Sequence, residues 1–197
     1  MIYSIGHGHK TKEEFISELQ SFKIQYLIDV RTNPFSKWAP NFNQGYIEYM
    51  LKEASIIYAY MGDTIGGKPQ RDDCFDEEGF FDYRKMAEVP EFKAGLQRLL
   101  NADSQGLHVA VMCTESNPSE CHRSKLIGRE LYSLYGLDML HIVGEGKVIL
   151  QSQIMEELTN SKWYPGLTSL FGSSDPPYFK SRKAYKTPSK ESVQYDY

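Results

Sequence analysis

Two hydrophobic rhythms alternate along this chain: short, nearly continuous apolar runs, and longer stretches whose apolar residues recur three or four apart. Ile2-Tyr3-Ser4-Ile5 is the first run and stops abruptly at Gly6. Thr11 and Glu14 then have capping-box spacing. Phe15, Ile16, Leu19 and Phe22 follow at helical intervals, which predicts a helix laying one face on a sheet. Tyr26-Leu27-Ile28-Asp29-Val30 suits a strand covered on both faces. A second helix is expected over residues 46–54, with Ile47, Met50, Leu51 and Ala54 inward, and a third strand over residues 56–61. The acidic, glycine-containing stretch 62–82 reads as a long loop, a length usually tied to function or mobility.

Pro90 opens the next helix at a tolerated first-turn position, and Phe92, Leu96, Leu99 and Leu100 mark its buried stripe. Residues 107–113 make the clearest strand. Asn117-Pro118-Ser119-Glu120 combines an N-cap, a proline at N1 and a glutamate at N3. A helix is therefore expected from Pro118, with Ile127, Leu131 and Leu134 inward. Residues 138–143 predict a fifth strand, 147–150 a sixth and 153–158 a short helix. Strands alternating with helices indicate the α/β class: a single domain over residues 1–160 with a mostly parallel sheet flanked by helices. From residue 161 onward Ser, Pro, Lys and Tyr dominate, with Pro165, Pro176, Pro177 and Pro188. An irregular, basic and aromatic C-terminal extension is expected over residues 161–197.

Composition narrows the functional classes. With 41% hydrophobic and 24% charged residues the chain is not collagen-like, coiled-coil or wholly disordered. No apolar run approaches the roughly 20 residues that cross a bilayer, and the N-terminus lacks a basic region followed by an apolar stretch, so neither membrane nor signal peptide is expected. Three cysteines, Cys74, Cys113 and Cys121, are a sparse and odd set that suits a reducing compartment. A cytoplasmic protein of prokaryotic type is the expectation. The net charge of -4 hides an asymmetry. The extension carries Lys162, Lys180, Arg182, Lys183, Lys186 and Lys190 against Asp175, Glu191 and Asp196, so the body before it is acidic and offers no footprint for duplex nucleic acid.

In a parallel sheet, ligands bind outside the carboxyl ends of the strands, and the unusual residues of this chain gather there. The first strand exits into Gly6-His7-Gly8-His9, the second at Asp29-Val30-Arg31, and the third towards Gly66-Gly67-Lys68. The fourth exits into Cys113-Thr114-Glu115, followed by Cys121-His122-Arg123. A strand ending in cysteine beside a helix start favours a thiolate and bound anions. Arg31 and Arg123 are candidates to hold a phosphate, carboxylate or sulfate, with Gly66, Gly67 and His122 beside them. His7 and Glu115 are candidates for acid–base work and Cys113 for a nucleophile. His7, Arg31, Glu115 and Arg123 are expected to line one pocket.

Plainer readings stay open. Cys113 can be a small buried hydrophobe, Arg31 a structural partner of Asp29, His7 and His9 turn residues, His141 a core histidine, and Cys74 incidental. Tyr178, Phe179 and Tyr185 can stack bases or pack on the domain. Cys113, Cys121, His122 and His7, with Glu115 nearby, are zinc-competent. Cys-x7-Cys-His, however, lacks the usual two- to four-residue ligand pairing, so no metal ligand is assigned and the cofactor is left undetermined.

Taken together, Ser4-Ile5-Gly6-His7, Asp29-Val30-Arg31, Gly66-Gly67 and the Cys-x-Glu-x-x-Pro-x-x-Cys-His-Arg block from Cys113 to Arg123 resemble a known family. It is the bacterial and archaeal group labelled domain of unknown function 488. Its Gly-His-Ser near the start reads Gly6-His7-Gly8 here. The resemblance implies an α/β fold and a shared site, and it supplies no established reaction. The expectation from the residues is an enzyme acting on an anionic substrate, whether phosphorylated compound, nucleotide or nucleic acid. The alternatives are a non-catalytic nucleic-acid or protein binding module, and a thiol-redox or zinc-binding protein.

Overall fold

In the computed structural model, which describes residues 1–68, 71–144, 146–160 and 179–185, the apolar runs become one six-stranded sheet. Its strands are β1 (Ile2–Gly6), β2 (Tyr26–Asp29), β3 (Ile57–Tyr60), β4 (Val109–Cys113), β5 (Leu140–Gly144) and β6 (Lys147–Leu150). They lie in the order β3-β2-β4-β1-β5-β6. All neighbours are parallel except β5 and β6, which pair antiparallel. The α/β class and the mostly parallel sheet are thus as expected.

The helices are α1 (Lys12–Ser21), α2 (Gln44–Glu53), α3 (Tyr83–Ala87), α4 (Pro90–Ser104), α5 (Arg129–Tyr135) and α6 (Gln151–Thr159). The α1 capping box forms as its spacing predicts: Thr11 Oγ1 accepts from Glu14 N at 3.2 Å, and the Glu14 carboxylate accepts from Thr11 N at 2.8 Å. Side chains alternate across the sheet with period two. In β4, Val109, Val111 and Cys113 join the core on one face, whereas Ala110 and Met112 join the core on the other. Phe15 and Leu19 of α1 and Ile47 and Leu51 of α2 cover the second face. Phe92, Leu96 and Leu99 of α4 and Leu131 of α5 cover the first. Burying each such side chain contributes about 1.5–3 kcal/mol. From β1 outward to β3 the chain uses helices of one face, and on its return through β4 to β5 those of the other. Right-handed crossovers require this, because reversing the direction of travel reverses the face.

Three local expectations need correction. Residues 62–82 are not featureless: they hold a 3-10 turn at Asp72–Cys74 and a bridge between Phe75 and Phe81, and α3 follows, capped by the Asp82 side chain on Arg84 N. Cys74 there is part of the core. Pro118 does not open a continuous helix. Pro118–Glu120 is a single 3-10 turn with Asn117 Oδ1 accepting from Ser119 N; Cys121 is extended, and winding resumes as a π-helical stretch at Arg123–Gly128 that leads into α5. A cap and a proline mark where a turn starts, not how long it continues. Leu134 is not inward but 61% exposed, and Tyr135 beside it is also at the surface. Periodicity defines a face without deciding what covers it.

Of the expected extension, residues 161–178 and 186–197, including Lys162, Tyr178, Lys186 and Lys190, lie outside the described residues. The described piece 179–185 lies on the domain. Tyr83 N donates to Phe179 O, Ser181 N to Phe81 O, and Tyr185 N to Gly79 O. Among the described residues no helix is long and apolar enough to cross a membrane.

Candidate functional site

The site is built on the central pair β1 and β4, whose last residues, Gly6 and Cys113, face each other in register. The parallel ladder runs on past both strands: His7 N donates to Cys113 O at 3.0 Å and Gly8 N to Thr114 O at 2.9 Å. The loop after β4 turns back through Pro118 and delivers Cys121, His122 and Arg123 to the same edge. Cys113 Sγ stands 3.0 Å from Glu115 Oε2, and Cys121 Sγ 3.3 Å from that same oxygen. His122 Nδ1 lies 3.8 Å from Cys113 Sγ and 3.7 Å from Cys121 Sγ. Its Nε2 is 3.1 Å from the Val30 carbonyl, which can only accept, so Nε2 carries the proton. Gly67 packs directly on this ring; a Cβ there would sit 2.5 Å from His122 Nδ1.

Arg123 has no exposed surface. Its guanidinium ties three elements together: Nη1 to Ser4 Oγ at 3.2 Å, Nη2 to the Glu115 carbonyl at 2.5 Å and Nε to Cys121 Sγ at 3.3 Å. Behind it Ser4 Oγ meets His141 Nδ1 at 2.6 Å, and His141 Nε2 meets Gln151 Oε1 at 2.7 Å. Arg31 is held separately, by two bonds to the Asp29 carboxylate at 2.9 and 2.6 Å and one to the Phe42 carbonyl at 2.7 Å.

These contacts order the proton affinities. Burial opposes charge on Cys121, but the hydrogen bond from Cys113 and the positive Arg123 and His122 hold its thiol well below the ordinary value. Cys113 moves the opposite way, raised by its hydrogen bond to Cys121, by burial and by the charges of Cys121 and Glu115. Cys121 is therefore the more acidic thiol of the pair. Burial opposes protonation of His122, yet the negative Cys121 and Glu115 raise it. Burial and then Arg31 lower His7 to about 4, and burial lowers His141 to about 4, so both are neutral at pH 7.

A cavity of about 260 Å³ opens over this edge. Arg31, Gly67, Cys113, Glu115 and His122 line it, together with Lys68 and the Arg182, Lys183 and Tyr185 of the C-terminal segment. The Lys68 ammonium lies 4.3 Å from the Tyr185 ring centroid. Of the residues expected in one pocket, Arg31 and Glu115 are in its wall. Arg123 is sealed beneath it. His7 follows Gly6 by one residue, so strand alternation turns its ring to the opposite face, where it stacks on Phe42 at 4.4 Å. Gly66 packs on the carbonyl of Gly62. Two larger grooves, of about 720 and 830 Å³, flank α1 and hold none of these residues.

Sequence reasoning grouped Cys121 with Cys113 and His122 only as zinc-competent residue types, and it did not find the Val30 carbonyl or the Ser4–His141–Gln151 chain. The one available signal was that Ser4 and His141 are polar interruptions of apolar strands. Their register, Ser4 opposite His141, is long-range information.

The family model described as domain of unknown function DUF488 matches residues 11–129, more than half of the chain. That stretch contains Asp29-Val30-Arg31, Gly66-Gly67 and the block from Cys113 to Arg123; it begins after Ser4–His7. Neither a curated protein nor a solved structure matches the chain.

Proposed function

The chain belongs to the DUF488 family, whose description assigns no reaction, and from its own site we propose that it is an enzyme acting on a small anionic substrate, a phosphorylated compound or a nucleotide. One observation carries this reading: the cavity at the strand exits presents four cationic side chains, Arg31, Lys68, Arg182 and Lys183, against two carboxylates, Glu115 and Glu120. Arg182 engages Glu120 at 2.7 Å, and Arg31 is anchored by Asp29. Lys68 and Lys183 are also exposed over the cavity, both near the Tyr185 ring. An excess of cations in a partly enclosed site concentrates anions and orients them. Cys113 and Glu115 face the same space, so a bound anion would stand beside a thiol and a carboxylate able to accept its proton.

The test is calorimetric titration with inorganic phosphate and with nucleoside mono- and diphosphates, followed by a substrate screen on any ligand that binds. Binding is expected to weaken with salt. Lys68→Ala and Lys183→Ala should each weaken it on the order of three- to thirtyfold, exposed cations being partly screened. Wild-type affinity in both variants, or no binding of any of these anions, would overturn the reading.

A further inference from the structure

We propose that Cys113, Cys121 and His122 bind one divalent transition-metal ion of the zinc type, with Glu115 beside the position left open. The proposal rests on side-chain geometry and is independent of the anionic-substrate reading. Two sulfurs and an imidazole nitrogen, from residues 113, 121 and 122, place their ligating atoms within 4.8 Å of one another. Zinc bonds are about 2.3 Å to sulfur and about 2.0–2.1 Å to nitrogen, which makes the sulfur–nitrogen edge of a tetrahedron about 3.6 Å. The two such edges here are 3.8 and 3.7 Å. Both sulfur–nitrogen edges are therefore already close to what a tetrahedral ion would require.

The outer contacts point the same way. A metal-bound histidine normally donates its other ring nitrogen to a carbonyl or carboxylate, which fixes the tautomer. His122 Nε2 does this to the Val30 carbonyl at 3.1 Å and leaves Nδ1 aimed at the sulfurs. Arg123 gives Cys121 Sγ both a guanidinium and a backbone N–H contact, at 3.3 and 3.5 Å. That is the support a thiolate needs in a buried place, and the fully buried guanidinium gains a counter-charge in return. The sulfurs and the Glu115 oxygen are all electron-pair donors, 3.0 and 3.3 Å apart, with only thiol protons to share among them. A divalent cation satisfies both sulfurs at once, with the Glu115 carboxylate beside it as a counter-charge, and the thiol protons leave to solvent as it enters.

The x7 spacing that argues against a metal in the sequence is closed by the 3-10 turn at Pro118–Glu120, which folds the second cysteine back onto the first. His7, also zinc-competent by type, takes no part, since its ring lies on the other face. Cys113, Glu115 and His122 border the cavity, so the ion would face it. Three protein ligands and an open side are the pattern of a reactive centre, not of a closed structural site.

The experiment uses the full chain, kept reduced and with all three thiols accounted for, titrated with Co²⁺ and then with competing Zn²⁺. The expected result is one equivalent bound, with a thiolate-to-cobalt charge-transfer band, intense tetrahedral d–d absorption, and displacement of both signals by Zn²⁺. Cys121→Ser and His122→Ala should weaken binding more than the 10–100-fold that loss of an outer contact costs, while Cys74→Ser titrates like wild type. The proposal is overturned if the reduced wild-type chain shows no charge-transfer band, if Cys74→Ser weakens binding as much as Cys121→Ser does, or if the band survives in a Cys113→Ser/Cys121→Ser double variant. The wild-type titration decides by itself should a variant fail to fold. Because no anion is present, failure of phosphate or nucleotide binding leaves this result untouched.

Discussion

Replacing Arg123 by leucine isolates what this buried cation contributes. The guanidinium joins the end of β4 to β1 through the Glu115 carbonyl and Ser4 Oγ, and contacts Cys121 Sγ. Leucine leaves the Glu115 carbonyl without that bond, which costs about 1–3 kcal/mol for a buried acceptor. Ser4 loses one neutral hydrogen bond, worth about 0.5–1.5 kcal/mol, but keeps His141. Cys121 can take up a proton, so its part adds little. The total is about 2–4 kcal/mol, and at about 2–4 °C per kcal/mol for a chain of this size the midpoint should fall by about 4–16 °C. Urea and thermal unfolding of Arg123→Leu and Arg123→Lys measure it, with alkylation of Cys113 as a local readout of the freed loop. Lysine, a point charge without the planar fork, reaches fewer of the three acceptors and should recover only part of the loss. A leucine variant within about 1 kcal/mol of wild type, or a lysine variant as stable as arginine, would refute the idea that the fork holds this edge together.

Three further outcomes follow from the same geometry. His141 has a folded value of about 4 against 6.5 in the unfolded chain, so the unfolded state binds more protons between those limits. The His141 contribution should be flat above pH 7 and fall by up to about 3 kcal/mol as pH drops from 6.5 towards 4, with His7 adding a similar fall; unfolding midpoints measured against pH should lose about half of the combined slope in His141→Gln. Gly67→Ala puts a Cβ 2.5 Å from the His122 ring and should tilt it off the Val30 carbonyl, read as a shifted His122 ring resonance and a stability loss of about 1–3 kcal/mol. Asp29→Asn leaves the buried Arg31 guanidinium without its carboxylate and should cost about 3–5 kcal/mol in denaturant unfolding. A loss below 1 kcal/mol would mean that Arg31 finds its counter-charge elsewhere.

Much of the scaffold is legible without the structure because its causes are local. The apolar run at Tyr26, the Thr11–Glu14 box and the Pro90 start depend on residues a few positions apart, and strand-helix alternation then implies a parallel sheet with its chemistry at one edge. The resemblance carried by Asp29-Val30-Arg31, Gly66-Gly67 and the cysteine block agrees with the family match. What only the tertiary structure decided is which side of that edge each group occupies and what it spends its charge on. Arg31 and Arg123 are committed to Asp29 and to the β4 loop, His7 is turned to the far face, and Cys113 and Cys121 close on His122 across a spacing that argues against ligation. Those outcomes depend on register between strands distant in sequence, Gly6 opposite Cys113 and Ser4 opposite His141. They depend also on the need of every buried charge for a partner, a condition met through space, which the order of residues along the chain does not encode.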